Sequence, residues 1–308
     1  MSSLLNVSSS PHIRQSDNTT GIMLDVLISL LPATVFGIVL FGYRAAILIA
    51  VCVASCLVFE FLARKLFKNQ GSLLDLSAAV TGLLIALNLP PRFPVWMAII
   101  GCFAAIVVVK QMFGGLGHNF VNPAIAARII LLISFPTHMT TYHEPFNTDA
   151  ITTATPLGME ECYLSVKELL FGLHGGSIGE TSVIMLAIGG IYLIIRRVIS
   201  PTIPLSFIGS VGVLTLILSG NLSDAIFAML TGGVFLGAIF MATDYVTSPT
   251  TTLGKIIFGI GCGVITVIIR SGAAAEGVSF AIIFMNLLVP HIDGITVRKP
   301  FGWEAKKQ

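Results

Sequence analysis

Mostly apolar stretches follow one another through almost the whole chain, and several approach the roughly 20 residues that a membrane-spanning helix needs. Only 10% of the 308 residues are charged, whereas soluble domains carry about 25%. The composition therefore excludes a soluble protein and predicts an all-α polytopic membrane protein with about ten transmembrane helices. The predicted spans are 22–42, 45–66, 73–91, 95–112, 119–135, 181–197, 204–220, 225–243, 255–270 and 277–291.

The lysines and arginines predict the orientation of these spans, because cytoplasmic connections carry an excess of basic residues. With the N-terminus in the cytoplasm, ten crossings place 12 of the 17 basic residues inside, 4 outside and Arg128 within the fifth span. Both termini are therefore predicted to be cytoplasmic. The polar start of the chain does not resemble a cleavable signal peptide, and a net charge of +2 is too small to indicate nucleic acid.

The predicted spans form two halves with five spans each. An odd number of spans makes the halves inverted relative to each other, and the third span of each half is punctuated by Gly and Pro. Inverted repeats with interrupted helices build the central site of many transport folds. The predicted units are a cytoplasmic segment 1–21, a first repeat 22–135, an external loop 136–180, a second repeat 181–291 and a cytoplasmic tail 292–308.

The predicted cytoplasmic segment 110–123 is rich in glycine and could approach a flat ligand closely. Asn119 and Asn122 offer amide groups, and Phe113 and Phe120 offer aromatic faces. The segment lacks the Lys-Ser/Thr pair of a P-loop, so a nucleoside triphosphate site is not predicted. A glycine-rich turn between two helices explains the same residues, and that interpretation stays open.

Two parts of the external loop carry hydroxyl groups. Segment 149–158 holds three threonines, and Pro156 favours an extended conformation for Thr155. By composition alone this segment is an ordinary polar loop. At the start of the sixth span, exposed N–H groups with the hydroxyls of Ser177, Thr181 and Ser182 would suit an anion such as a phosphate.

Ionisable side chains within a membrane are costly, and they are functional candidates for that reason. Asp244 lies where a helix is expected to break, so it could bind a small cation or cap a helix. Asp293 is interpreted as an interfacial residue. The five cysteines predict neither a disulfide framework nor a metal site, and no arrangement of catalytic residues is found. Ionisable residues in or at the edges of spans are Asp25, Glu60, Asp75, Lys110, Arg128, Asp244, Glu276 and Asp293.

Five motifs resemble, in order, those of the family that contains the D subunit of the Rnf electron-transport complex and the B subunit of the sodium-translocating NADH:quinone oxidoreductase. The resemblance runs from about residue 9 to residue 295, and the length favours the Rnf member. The motifs are Ser-Ser-Pro-His-Ile-Arg at 9–14, Ala-Leu-Asn-Leu-Pro-Pro at 86–91, the glycine-rich segment at 113–124, Gly-Ser-Ile-Gly-Glu-Thr-Ser at 176–182 and Phe-Met-Ala-Thr-Asp-Tyr-Val-Thr-Ser-Pro at 240–249.

The resemblance implies that FMN is attached covalently to Thr155 as a phosphoester by a dedicated FMN transferase. Asp149, Thr152, Thr153 and Thr155 occupy the positions of the family's attachment motif, Asp-x-x-Ser/Thr-Gly-Ala-Thr. Thr153 replaces the family's glycine and adds a competing hydroxyl. The residues expected around the FMN are Asp149, Thr152, Thr153, Ser177, Glu180 and Thr181.

The resemblance also implies a non-covalent riboflavin near Asn119, Asn122 and Phe113, with Asp244 and Asp293 near an ion path. The implied function is electron relay between ferredoxin and NAD⁺, coupled to the translocation of Na⁺ or H⁺ across the bacterial inner membrane. Implied partners are the A, B, C, E and G subunits of the Rnf complex.

Three alternatives remain open at this point. The chain could be the corresponding component of the quinone reductase, a flavin-free channel or transporter of the ammonium or urea type, or a structural anchor for other subunits.

Overall fold

A computed structural model of the chain describes residues 18–67, 75–146, 152–153, 165–180, 182–272 and 277–297. Almost all of the regular structure in these residues is helical. The helices are α1 Thr19–Phe41, α2 Tyr43–Phe67, α3 Ser77–Leu87, α4 Val95–Gln111, α5 Pro123–Ser134, α6 Pro136–Met139, α7 Val166–Phe171, α8 Val183–Ile195, α9 Thr202–Ser219, α10 Leu222–Leu230, α11 Val234–Met241, α12 Thr252–Ser271 and α13 Val278–Thr296.

The outer face of α1 shows why this fold belongs in lipid. Leu24, Ile28, Leu31, Val35 and Val39 recur at helical spacing, and each is between 40% and 60% exposed. A continuous apolar stripe of this length is not left facing water. The stripe is therefore suited to the interior of a membrane, while the opposite face of α1 packs in the protein core.

Among the described residues, five helices are long and apolar enough to cross a membrane: α1, α2, α9, α12 and α13. Helices α10 and α11 make a sixth candidate span, bent by 59° between them. Four shorter apolar helices, α3, α4, α5 and α8, lie within the remaining predicted stretches. The fold is therefore that of a multi-pass membrane protein, whereas ten crossings and inverted repeats stay predictions.

Two short helices, α3 and α11, lie at the centre of the molecule. All eleven residues of α3 are buried, as are most residues of α11. The Asn88 amide, just after α3, donates to the Met241 Sδ at the end of α11, at 3.8 Å. The sequence predicted interrupted helices here, and the chain does leave helical geometry after Leu87 and after Met241.

The all-α prediction misses one small feature. Strands β1 (Tyr142–His143) and β2 (Thr152–Thr153) form a two-residue antiparallel ladder that pairs Tyr142 with Thr153. A ladder this short carries no pattern that a sequence could reveal, because its pairing is set by the surrounding loop. Of the predicted attachment segment, only β2 lies within the described residues; Asp149 and Thr155 lie outside them, as does Thr181.

Candidate functional site

One pocket lies between α3 and α11, and we call it the asparagine pocket. Its empty space of about 810 Å³ includes open solvent at its mouth. The starts of α1, α3 and α5 line it together with the ends of α4, α8 and α11. These two groups of helices therefore run in opposite directions, and the pocket lies at the end of the molecule where α1 begins.

The wall of the asparagine pocket is mostly apolar and includes several polar residues. Apolar lining residues include Val80, Leu84, Leu193, Ile239 and Phe240. A pocket of this kind, apolar with a few placed polar groups, is typical of small-molecule sites. The polar lining residues are Ser77, Thr81, Lys110, Asn119, Asn122, Thr243, Asp244 and Tyr245.

The two predicted asparagines both line the pocket and also fix its shape. Asn122 caps α5, because its Oδ1 accepts from the N–H groups of Ala124 and Ile125. Its Nδ2 donates to the Met241 main-chain oxygen at 3.2 Å, which holds the start of α5 against the end of α11. Asn119 Nδ2 donates to the Val121 main-chain oxygen at 3.1 Å.

The glycine-rich segment before these asparagines is a turn with unusual backbone geometry. Gly114, Gly115 and Gly117 all have positive φ values, between 87° and 117°. Residues with a side chain rarely adopt this conformation. The segment therefore needs glycine for its own fold.

The predicted ligand contact Phe113 does not line the pocket. It is half exposed and packs against Phe120, with ring centroids 4.7 Å apart.

Asp244 lies in the connection 242–251 and faces the asparagine pocket. Its carboxylate accepts from the Thr247 hydroxyl at 3.2 Å and from the Val246 N–H at 3.4 Å. Burial raises the pKa of Asp244, although hydrogen bonds from Val246, Thr247 and Asn119 oppose the shift. Asp293 reaches the same connection, since it accepts from the N–H and hydroxyl of Thr250, but it does not line the pocket.

A buried ionic cluster, absent from the sequence predictions as a unit, lies behind the pocket wall. Glu60 Oε1 accepts from Arg64 at 2.6 Å, from Lys110 Nζ at 3.0 Å and from Gln111 at 3.0 Å. Arg64 also donates to Asp75 at 2.8 Å. Two carboxylates therefore balance two cations, which is the condition for burying charges. We call these residues the Glu60 cluster.

The Glu60 cluster touches the pocket directly through Lys110 and Ser77. Lys110 Nζ donates to the Ser77 hydroxyl at 2.6 Å, and both residues line the pocket. Lys110 is placed there by a π-helical segment, residues 104–111, in the second half of α4. Such wide turns are frequent at functional sites. The sequence signalled Lys110 only as an ionisable residue at the edge of a span.

A second buried polar cluster lies at the other end of α3. Arg128 donates to Asn88 Oδ1 and lies 3.8 Å from the Glu180 carboxylate. Glu180 also accepts from the Ser177 hydroxyl at 2.6 Å. Ser177 is fully buried, and Ser182 is buried as the N-cap of α8. The predicted exposed helix start is therefore wrong for these two residues, because both are buried: the Ser177 hydroxyl donates to Glu180, and the Ser182 hydroxyl accepts from the Met185 N–H.

Arg270 stabilises the break between α10 and α11. Its guanidinium donates to the main-chain oxygens of Ala228, Thr231 and Gly232, at 2.7 to 3.3 Å. These oxygens lack helical partners because the helix bends there, and an unpaired carbonyl is costly away from water. The sequence-based topology placed Arg270 at an outer edge, and it missed this role.

A second pocket lies at the opposite end of α1, and we call it the arginine pocket. It encloses about 950 Å³ including its open mouth. Its lining comes from the turn between α1 and α2, from the residues after α3 and from the connection that contains β1. The polar and aromatic lining residues are Phe41, Tyr43, Arg44, Arg92, His143, Glu144 and Phe146.

The four cysteines that the structure describes behave as packing residues. Cys52, Cys56, Cys102 and Cys262 are buried, and Cys102 Sγ donates to the Cys52 main-chain oxygen at 3.6 Å. Within the described residues, no group of three or more His, Cys, Asp or Glu side chains could hold a metal ion. Small apolar environments are ordinary for free cysteine.

Fold and site together define a class: a polytopic membrane protein whose interrupted helices line a mostly apolar pocket with several polar groups. The chain belongs to the NQR2, RnfD, RnfE family, whose model matches residues 6–302. It is 46% identical to the D subunit of the Na⁺-translocating ferredoxin:NAD⁺ oxidoreductase complex of Acetobacterium woodii, over 97% of this chain and 95% of the relative.

Two other relatives are similar over most of their length. The D subunit of the proton-translocating ferredoxin:NAD⁺ oxidoreductase complex of Clostridium ljungdahlii is 40% identical, over 97% of this chain and 96% of its own. The D subunit of the ion-translocating oxidoreductase complex of Stutzerimonas stutzeri is 38% identical, over 92% of each chain. The chain is therefore comparable to these proteins along nearly its whole length.

Proposed function

We propose that the protein is a flavin-carrying subunit of an ion-translocating ferredoxin:NAD⁺ oxidoreductase complex in the bacterial cytoplasmic membrane. In this proposal it holds a covalent FMN at Thr155 and a riboflavin in the asparagine pocket. The observation that carries the proposal is the asparagine pocket itself. A cavity between two interrupted helices, in a member of this family, is where a cofactor would be held.

The asparagine pocket has the chemistry that a riboflavin needs. The flavin ring is flat, with an apolar benzenoid side and a pyrimidine side rich in hydrogen-bonding groups. The apolar wall formed by Leu84, Ile239 and Phe240 suits the first side, and the amides of Asn119 and Asn122 suit the second. Each amide has bonding capacity beyond the contacts already described. A bound flavin supplies one- and two-electron transfer.

Three groups of this chain would orient the ligand. Lys110 places a cation at the wall of the pocket while Glu60 and Ser77 hold its Nζ in place. Asn122 joins α5 to α11 and fixes the width of the pocket. Asp244 lines the pocket from the connection 242–251 and would add a carboxyl group beside the ligand. Phe113 is left out of this proposal because it packs on Phe120 instead.

The covalent FMN rests on the attachment motif. Asp149 and Thr152 keep the register of the motif, and Ala154-Thr155-Pro156-Leu157 keeps its ending. An FMN transferase would form the phosphoester on the Thr155 hydroxyl. Thr153 stands where the family's motif has glycine, and it belongs to β2, where it pairs with Tyr142. Thr155 is therefore proposed as the acceptor ahead of Thr153.

Within the complex, the chain would relay electrons between ferredoxin and NAD⁺ while the complex moves Na⁺ or H⁺. The names of two relatives differ in the ion, Na⁺ in one and the proton in the other, so both ions belong to the proposal. Asp244 bonds to Thr247 and Asp293 bonds to Thr250, both within the connection 242–251, and we propose both as candidates for the ion path. The A, B, C, E and G subunits would be the partners.

For the topology we propose two inverted repeats, 22–135 and 181–291, joined by the external loop 136–180. The cytoplasmic segments would be 1–21 and 292–308. The opposite directions of the helices that line the asparagine pocket agree with this arrangement. The asparagine pocket then opens toward the cytoplasm, and the arginine pocket toward the outside.

A denaturing gel viewed under ultraviolet light tests the covalent flavin. Protein produced together with the FMN transferase should give a fluorescent band that survives boiling. Thr155→Val should abolish the band, whereas Thr153→Gly should retain it. A dark wild-type band would exclude covalent flavin, and a band that disappears with Thr153→Gly would move the acceptor.

The riboflavin is tested separately by extracting non-covalent flavin from the native protein and identifying it by chromatography. Asn122→Leu removes the cap of α5 and its bond to Met241, so the extracted riboflavin should fall. Asn221→Leu, an exposed asparagine before α10, is the matched control. Equal riboflavin in the two variants would place the ligand elsewhere.

A further inference from the structure

The arginine pocket lies where two candidate membrane spans meet. Helix α1 ends at Phe41 and α2 begins at Tyr43, and both helices are long and apolar enough to cross a membrane. The turn between them lines the pocket, together with Arg92 and residues of the connection that contains β1. The pocket is therefore placed where the hydrocarbon interior of a membrane gives way to its polar surface.

The charged groups that line the arginine pocket leave one excess positive charge. Arg44 and Arg92 share the lining with a single carboxylate, Glu144. Neither arginine forms an ion pair with a carboxylate in the part of the chain that the structure describes. Burial lowers the pKa of His143, and the nearby Arg92 and Arg44 lower it further, so its imidazole is neutral at neutral pH. The pocket therefore suits a ligand with one negative charge.

One buried polar atom of the arginine pocket has no hydrogen-bond partner among the described residues. It is Nδ1 of His143, a residue of β1. A buried polar atom without a partner costs free energy, which a ligand atom beside it can recover. Neutral imidazole can carry its proton on either nitrogen, so Nδ1–H can donate to a ligand oxygen. The pocket therefore offers a neutral donor in addition to its two guanidinium groups.

The rim of the arginine pocket is aromatic and exposed. Tyr43 and Phe146 line it, and each is 68% exposed. Trp96, four residues after Arg92, is 55% exposed near the start of α4. Aromatic side chains are enriched where a membrane protein passes through the headgroup level. The Phe146 N–H donates to the Leu40 main-chain oxygen at 3.0 Å, which holds this part of the rim against the end of α1.

An apolar path leads from the arginine pocket along α1. Val39 lines the pocket and also belongs to the exposed stripe of α1. Val35, Leu31 and Ile28 continue this stripe away from the pocket, each at least 40% exposed. From Val39 to Ile28 the helix rises about 16 Å at 1.5 Å per residue, which is about half the thickness of the hydrocarbon core. The path therefore has the length of one leaflet.

We propose that the arginine pocket binds the phosphodiester headgroup of an anionic phospholipid, whose acyl chains lie on the exposed stripe of α1. The phosphate oxygens accept from Arg44, Arg92 and His143 Nδ1. Arginine forms strong charge-assisted hydrogen bonds to phosphate. A phospholipid with one net negative charge balances the excess positive charge of the pocket. This inference does not depend on either proposed flavin.

Two other phosphate ligands differ from an anionic phospholipid in one feature each. Inorganic phosphate offers the same oxygens to the arginines, but it leaves the apolar stripe that continues from the pocket unused. A zwitterionic phospholipid brings a second cation to a pocket that already has an excess of positive charge. The charge and the stripe together favour the anionic phospholipid, and the experiment compares probes that lack one or the other.

The test measures the melting temperature of the full chain, purified in detergent and freed of its own lipids, as one probe is added. A ligand that binds only the folded state raises this temperature as its concentration rises. The probes are dioleoylphosphatidylglycerol, dioleoylphosphatidylcholine, dioleoylglycerol and inorganic phosphate. The test variants are Arg92→Gln alone and Arg44→Gln with Arg92→Gln. Lys65→Gln with Lys167→Gln removes two positive charges from exposed residues outside the pocket and is the matched control.

Phosphatidylglycerol should stabilise the wild type at a lower concentration than phosphatidylcholine does, and dioleoylglycerol and inorganic phosphate should have little effect. The concentration of phosphatidylglycerol that gives half of the stabilisation should rise about tenfold in Arg92→Gln, because one charge-assisted hydrogen bond contributes about that factor. It should rise further in the double arginine variant. The lysine control should match the wild type. Arg92→Gln alone decides the test where the double variant is not recovered folded.

Three results would overturn the inference. Equal stabilisation by phosphatidylglycerol and by phosphatidylcholine or dioleoylglycerol would show that the pocket does not select an anionic phosphate. Stabilisation by inorganic phosphate at the concentration where phosphatidylglycerol acts would assign the pocket to a free phosphate ion. An unchanged half-stabilising concentration in the arginine variants, or an equal rise in the lysine control, would place the lipid at another surface.

Discussion

Neutralising Glu60, which lies behind the asparagine-pocket wall, should strongly destabilise the protein. Glu60 is 2% exposed, and one of its oxygens accepts from Arg64, Lys110 and Gln111. In Glu60→Gln, the two buried cations are opposed by Asp75 alone. The cluster then carries one uncompensated positive charge away from water.

The structure sets the size of this effect. Removing one partner of a buried ion pair costs about 3–5 kcal/mol, which corresponds to a fall in melting temperature of roughly 5–10 °C. Replacing Lys110 by Met in the same chain restores the balance, with Arg64 opposed by Asp75. The variant with both changes should therefore be more stable than Glu60→Gln alone. A stabilising effect of Lys110→Met in the Glu60→Gln background would show that charge balance, and not a simple loss of contacts, sets the stability of the cluster.

Thermal denaturation of detergent-solubilised protein, followed by the loss of soluble monodisperse material, measures both variants. Asp224→Asn is the control, because Asp224 is exposed and bonds only to Asn221 among the described residues; it should change little. The reasoning is refuted if Glu60→Gln has the same melting temperature as the control. It is also refuted if the double variant with Lys110→Met has a lower melting temperature than Glu60→Gln alone. Extracted riboflavin, measured on the same samples, should fall wherever Lys110 is lost.

Three further predictions follow from single contacts. Gly189→Ala should sharply reduce the yield of folded protein, because a Cβ at this position would overlap the Ser29 main-chain oxygen. Gly209→Ala should not, because Gly209 has open space around it. Gel filtration in detergent compares the two yields. Arg270→Gln should lower the melting temperature more than Arg270→Lys, because only a cation can replace the charge that serves three carbonyls at the helix break. The pKa of His143 in the folded protein lies below its ordinary 6.5. The unfolded chain therefore binds a proton at His143 more tightly than the folded protein does, and the stability of the fold decreases as the pH drops through 6.5. In a plot of melting temperature against pH, His143→Gln should reduce the slope in this range, and an unchanged slope would contradict the assignment.

The sequence predicted the helices well because membrane helices are recognised by composition, which is a local property. A described helix falls within or across each predicted stretch, and the expected break near Asp244 occurs where α11 ends. Asn119 and Asn122 both line one pocket, and their binding of a flavin stays a prediction. Helix lengths were less predictable. Helix α3 has only eleven residues, although the apolar stretch around it is longer.

The polar interior could not be read from the sequence. Glu60, Asp75 and Lys110 are each separated by many residues, and no local pattern links them, yet they converge on Arg64 or on one another. Ser177 shows the opposite error. Its segment has the composition of an exposed helix start, but Glu180 accepts its hydroxyl inside the protein. Tertiary packing decides both cases, because a buried charge selects whichever partner the fold brings near.

The positions of the two pockets constrain how the proposed flavins could work together. Ile22 lines the asparagine pocket and Val39 lines the arginine pocket, so α1 separates them by about 25 Å at 1.5 Å per residue. That distance is close to the thickness of the hydrocarbon layer. Under the proposed topology, a riboflavin in the asparagine pocket and an FMN on the external loop would lie at opposite faces of the membrane, with the buried helix α3 between them. Electrons passing from one to the other would cross the membrane interior.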